Sequence, residues 1–125
     1  MRKILCIDDT PIVLKTLEIF LKNEYDVTLC EKSPKGLALA LTGDYPVIVT
    51  DIRMPEMSGL EIVEELAKAQ VPCQCILLTS HSLSSFDSDV EKSPLFFKYV
   101  QKPVKKQDIV SAIEEAFGKA AESQS

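Results

Sequence analysis

Five short apolar runs, each closing on a polar or charged residue, alternate with stretches of helical spacing, and this alternation constrains the chain most. Ile4-Leu5-Cys6-Ile7 ends in Asp8-Asp9. Asp26–Cys30 follows, with Val27 and Leu29 alternating. Val47-Ile48-Val49-Thr50 ends on Asp51, Cys75-Ile76-Leu77-Leu78 on Thr79, and Phe97–Gln101 leads into Lys102-Pro103. Runs this short between turn signals are strands. Between them, Ile12, Val13, Leu17, Phe20 and Leu21 keep helical spacing over Pro11–Lys22, with Thr10 as cap and Pro11 in the first turn. Ser33-Pro34 opens a second helix that Gly43 closes. Ser58 to Glu61 fits a capping box for a third, running to about Ala69. The polar stretch Ser80–Ser93 has room for one short helix. A last helix is predicted over roughly Val104–Phe117, with Ile109, Val110, Ile113 and Phe117 on one face; Gly118–Ser125 is expected to fray.

Strands that are apolar almost throughout are covered on both faces. Five of them alternating with five helices predict an α/β fold, a doubly wound five-stranded parallel sheet built from right-handed crossovers. In such sheets the functional crevice lies beyond the carboxyl ends of the strands. The residues closing each run are therefore the ones to read.

The chain has 125 residues, one domain by length. The reading divides it into a domain over residues 1–118 and a polar tail over 119–125. Asp plus Glu is 19 against 14 Lys plus Arg, a net charge of −5, which disfavours direct nucleic-acid binding. No apolar run approaches the ~18 residues of a membrane span. Met1-Arg2-Lys3 resembles a signal-peptide start, but only four apolar residues follow before Asp8, too few for its apolar segment. The expectation is a cytoplasmic chain without a membrane partner, with Cys6, Cys30, Cys73 and Cys75 as reduced thiols. Cys73-Gln74-Cys75 lacks the two-residue spacer of a zinc knuckle or a thioredoxin-like pair.

The parallel sheet would gather Asp8, Asp9 and Asp51, the Thr79 hydroxyl and the Lys102 ammonium at one edge. At ~4 Å and an effective dielectric of ~20, each like-charge pair costs about 4 kcal/mol. Either protons are retained or a cation sits there. Hard oxygen ligands favour Mg²⁺ over Zn²⁺. A carboxylate beside a metal and an ammonium suits nucleophilic attack on phosphorus, and the hydroxyl and ammonium suit the oxygens of a transferring phosphoryl group.

These residues resemble the receiver domain of two-component response regulators. The matching segments are Asp8-Asp9, Asp51-Ile52-Arg53-Met54-Pro55-Glu56-Met57-Ser58-Gly59-Leu60-Glu61, Thr79-Ser80, Tyr99 and Lys102-Pro103. The similarity covers about residues 2 to 117. It implies a flavodoxin-like sheet of order 2-1-3-4-5 and an Mg²⁺-dependent phosphoacceptor. Asp51 would take a phosphoryl group from the phosphohistidine of a sensor histidine kinase or phosphotransfer protein. Asp9 and Asp51 would ligate Mg²⁺ directly, Asp8 through water, and Arg53 through its carbonyl. Thr79 would follow the phosphoryl group, Lys102 would pair with it, and Tyr99 would change rotamer with activation. Pro103 would make the Lys102–Pro103 bond cis. The resemblance places Arg53 and His81 two residues after Asp51 and Thr79, where they would tune hydrolysis of the acyl phosphate. It also implies a downstream protein effector and a chain that catalyses its own phosphorylation and dephosphorylation.

Each feature also has a plainer reading. Asp8-Asp9 can cap a helix, Gly59 can be a turn glycine with positive φ, His81 can be a solvated loop residue, and Lys105-Lys106 a solvated face. A metal-dependent phosphatase on this fold would resemble a pattern with two acids one residue apart, whereas Asp8 and Asp9 are adjacent. A flavin or nucleotide carrier needs a Gly- or Ser/Thr-rich loop after the first strand, which Asp9-Thr10-Pro11 does not supply. An unphosphorylated interaction module has no need of all these site residues. The chain departs from the family before the fifth strand. Lys92-Ser93-Pro94-Leu95-Phe96-Phe97 stands where a regular fourth helix ends in Gly-Ala, so this helix is expected to be short, displaced or irregular. The face that partners read is then unusual. With no effector expected after the last helix, the chain reads as a free-standing receiver or one cut from a longer regulator.

Overall fold

The computed structural model describes residues 1–80 and 89–124. Strands β1 (Arg2–Ile7), β2 (Tyr25–Cys30), β3 (Val47–Asp51), β4 (Gln74–Thr79) and β5 (Phe96–Gln101) form one sheet in the order β2-β1-β3-β4-β5. Every neighbouring pair is parallel. Helices α1 (Pro11–Leu21), α2 (Ser33–Ala40), α3 (Gly59–Lys68) and α4 (Lys106–Gln124) cover it. This is the doubly wound, flavodoxin-like fold predicted above, with four α-helices among the described residues against the five expected. Part of the predicted fourth helix, with His81, lies outside the described residues. The described remainder is a 3-10 turn, Val90–Lys92. Ser93 after it is extended, the conformation a residue preceding proline prefers.

Strand alternation sorts the core into two layers. Ile4, Cys6, Val49, Ile76 and Leu78 face α1 and α4, where Leu17, Ile109 and Ile113 meet them. Leu5, Ile7, Ile48, Cys75 and Leu77 face α2 and α3, against Ala40, Ile62 and Leu66. β5 breaks the alternation. Cys75 pairs with Phe96 and Ile76 with Lys98, so Phe97 is an extra residue opposite none. Such a bulge reverses the faces beyond it. Phe97 joins the first layer, whereas Tyr99, two residues on, joins the second.

The helix ends show where local signals hold. Ser58 caps α3 by accepting a hydrogen bond from the Glu61 N–H at 3.1 Å. Gly43, beyond the end of α2, has φ +80° and donates to the Ala40 carbonyl at 3.1 Å. Thr10 is at the cap position of α1, but its side chain makes no cap bond. Its backbone N–H instead donates to Asp8 Oδ1 at 2.9 Å. The last helix begins at Lys106, two residues later than predicted, and continues through the stretch expected to fray to Gln124. Ala120-Ala121-Glu122 are strong helix formers and sustain it.

Gly59 corrects a sequence reading. It has no positive φ among the backbone exceptions of the chain. It is small because β3 and the first turn of α3 touch there: a Cβ would lie 2.2 Å from the Asp51 carbonyl oxygen. The Gly59 N–H also donates to the Ile52 carbonyl at 2.8 Å. Gly59→Ala is therefore expected to push α3 off β3 and cost about 1–3 kcal/mol, as overpacking does. Urea unfolding measures this, and an unchanged midpoint would show that the contact relaxes freely.

Candidate functional site

The parallel register brings four strand ends to one edge. β1 ends before Asp8, β3 ends on Asp51, β4 ends on Thr79, and β5 ends before Lys102. Backbone hydrogen bonds carry the ladder past these ends. The Asp8 N–H donates to the Cys30 carbonyl at 3.1 Å, Ile52 N–H to Leu78 at 3.3 Å, and Lys102 N–H to Thr79 at 2.6 Å. The site residues therefore leave from a rigid edge rather than from free loops.

One carboxylate oxygen each of Asp8, Asp9 and Asp51 lies within 4.8 Å of the others. Asp8 is fully buried and Asp51 is 8 % exposed. Asp8 Oδ1 accepts the Thr10 N–H, while its Oδ2 has the Lys102 ammonium at 2.9 Å and no hydrogen-bond partner besides. Asp51 Oδ1 accepts the Ile52 N–H at 2.9 Å and lies 3.2 Å from Lys102 Nζ. One ammonium thus bridges two buried carboxylates. Burial and the neighbouring Asp8 charge lift the Asp51 pKa above the usual carboxylate value, outweighing the pull of Lys102 and the Ile52 N–H. Burial lowers the Lys102 pKa, but its contacts with Asp8 and Asp51 win, and the ammonium holds its proton more tightly than an ordinary lysine.

Asp9, Asp51 and Lys102 line a cleft of about 210 Å³ with Arg53, Thr79 and Ser80, while Asp8 is fully buried and meets Lys102 at 2.9 Å. The Lys102–Pro103 bond is cis, as expected. Three carboxylates against the Lys102 ammonium and the Arg53 guanidinium still leave a net negative site rich in oxygen donors, and Asp8 Oδ2 has acceptor capacity to spare. Hard oxygen donors at this separation suit a small divalent cation. Three of the predicted residues, Asp8, Tyr99 and Pro103, are not among the lining residues. Tyr99 packs in the second core layer, its ring tilted against Phe96 at 4.9 Å between centroids. Pro103 belongs to a neighbouring apolar groove with Ile12 and Val104. His81 lies outside the described residues. Thr10, read from sequence only as a cap, lines the cleft, as does Ile52. Their adjacency to Asp9 and Asp51 was the available signal.

Comparison with known proteins identifies the family. The family model for the response regulator receiver domain matches residues 4–114. The transcriptional regulatory protein GlrR of Escherichia coli is 32% identical over 119 residues, covering 94% of this chain and 27% of the relative. The transcriptional regulatory protein FixJ of Rhizobium meliloti is 31% identical over 111 residues, covering 88% of this chain and 54% of the relative. The chain thus spans about a quarter to a half of these relatives. Among solved structures, a response regulator receiver domain protein from Clostridium thermocellum superposes with a TM-score of 0.83 at 28% identity, covering 95% of this chain and 96% of that one. The family model spans most of the chain, and the relatives cover nearly all of it: the chain belongs to the response regulator receiver domain family.

Proposed function

We propose that the chain is a phosphoacceptor switch in which Asp51 receives a phosphoryl group with the help of Mg²⁺. The observation that carries this is the Lys102 ammonium, 2.9 Å from Asp8 and 3.2 Å from Asp51 in a cleft of carboxylates. An Asp51 oxygen attacks phosphorus, forming an O–P bond as the N–P bond of a phosphohistidine breaks, and the imidazole leaves. The product is an acyl phosphate on Asp51. Bound at Asp8, Asp9, Asp51 and the Arg53 carbonyl, Mg²⁺ would neutralise the carboxylates and the incoming phosphoryl oxygens. Lys102 holds Asp51 in place before transfer and supplies positive charge to the phosphoryl oxygens after it. Thr79, on the adjoining strand end, offers its hydroxyl to the same group. Asp51, Thr79 and Lys102 are the catalytic set, with Tyr99 as the switch aromatic and Arg53 and His81 as rate modifiers.

The donor is a sensor histidine kinase or phosphotransfer protein, and the output passes to a downstream protein partner. The relatives named above are transcriptional regulators. Direct nucleic-acid contact is not proposed for this chain, whose net charge is −5. No helix among the described residues is long and apolar enough to cross a membrane. The cytoplasm is the expected compartment, and residues 1–118 are the proposed receiver unit with 119–125 as its tail.

Incubation with Mg²⁺ and acetyl phosphate is expected to add the mass of one phosphoryl group to the wild type and nothing to Asp51→Asn. Absence of the adduct in both proteins, with Mg²⁺ bound, would sink the reading. Lys102→Ala should keep Mg²⁺ binding but uncouple phosphorylation from Tyr99; a Tyr99 ring resonance that still shifts on phosphorylation contradicts this role.

The raised pKa of Asp51 has a thermodynamic consequence. The folded chain binds this proton more tightly than the unfolded chain, so the charged group opposes folding at neutral pH. That opposition fades as pH falls through the folded pKa toward the ordinary carboxylate value. Without divalent cations, Asp51→Asn should therefore melt higher than wild type near pH 7. The gap should close on acidification or on adding Mg²⁺. Calorimetry across pH checks it; a variant that melts lower at neutral pH contradicts it.

A further inference from the structure

We infer that the groove between α1 and the start of α2 docks an acidic, amphipathic segment of a partner protein. The groove has a volume of about 470 Å³. Its floor is apolar, made by Leu14 of α1, Leu29 of β2 and the ring of Pro11. Its rim is basic: Lys15 projects from α1, and Lys32 and Lys35 from the start of α2. Glu31 is the one carboxylate among the lining residues. Three ammonium groups against one carboxylate make the groove net positive, on a chain whose total charge is −5. Lys15 is held by Glu18 at 3.1 Å. Lys32 and Lys35 are exposed and make no ion pair among the described residues.

The occupant follows from this pairing of an apolar floor with a cationic rim. A segment with carboxylates on either side of a leucine-sized side chain gains from both features. The carboxylates meet the lysines, and the apolar group leaves water. A nucleic acid would meet the same lysines but gain nothing from the floor, and the negative total charge of the chain would repel it. The groove shares no lining residue with the carboxylate cleft. A docked segment would therefore leave Asp51 uncovered, and docking does not depend on phosphoryl transfer there.

Selection from a displayed random-peptide pool tests the assignment. The wild type serves as bait, and Lys32→Glu/Lys35→Glu as counter-bait. Both substituted side chains are exposed, and acetyl phosphate labelling of Asp51 in the variant should match the wild type. The expected winners carry acidic residues flanking an apolar one. They bind the wild type at least about tenfold more tightly than the variant, the change that losing two close charge pairs produces. Amide shifts on titration should centre on Leu14, Leu29 and Lys35, and affinity should fall with added salt. The proposal is overturned by winners that bind both baits equally, by winners lacking acidic residues, by shifts mapping elsewhere, or by a pool that yields no binder. Salt-sensitive binding of single-stranded DNA at the same residues, with no acidic peptide selected, would reassign the groove to nucleic acid.

Discussion

Lys102 holds together an edge that would otherwise repel itself. Asp8 and Asp51 are both nearly dry, and each would prefer water to the other. One ammonium at 2.9 and 3.2 Å offsets part of that cost, but cannot neutralise both. The remaining negative charge, with Asp9 alongside, is what makes the pocket receptive to a cation. Stability and chemistry thus pull in opposite directions at this point. The rest of the fold supplies the packing that tolerates a pocket tuned for ligand and phosphoryl group rather than for its own comfort.

That tolerance comes from the sheet. A parallel sheet points every strand's carboxyl end the same way, so residues far apart in sequence arrive at one edge without long loops. Two apolar layers clamp the strands from both sides. The ladder bonds at Asp8, Ile52 and Lys102 then carry its rigidity into the first residues beyond the strands. Gly59, lacking a Cβ, lets α3 start against the Asp51 carbonyl. Positioning of the charged groups is therefore inherited from backbone geometry rather than built side chain by side chain.

Much of this site was legible because its residues follow a simple rule. Asp8, Asp51, Thr79 and Lys102 are each a polar residue at or just past the end of an apolar run, and such runs announce strands by composition alone. The helix ends were less legible. The cap of α3 at Ser58 was readable because its hydrogen bond is local. Thr10 misled: it stands at the cap position of α1, but its side chain makes no cap bond, and the residue lines the cleft. The start of α4 moved to Lys106. The bulge at Phe97 was not legible, since Phe96 and Phe97 are both aromatic and Lys98 follows them, so no clean alternation stands there to be broken.

By itself, the sequence determined the strand runs, the parallel α/β class and the roster of groups at the strand ends. These follow from hydrophobic periodicity and short-range turn chemistry, which act within a few residues. Only the tertiary structure decided that one ammonium bridges Asp8 and Asp51, that Gly59 is required by contact rather than by φ, and that Tyr99 stands in the core and not in the cleft. Those outcomes depend on strand register and layer packing, which join residues dozens of positions apart and leave no local pattern to read.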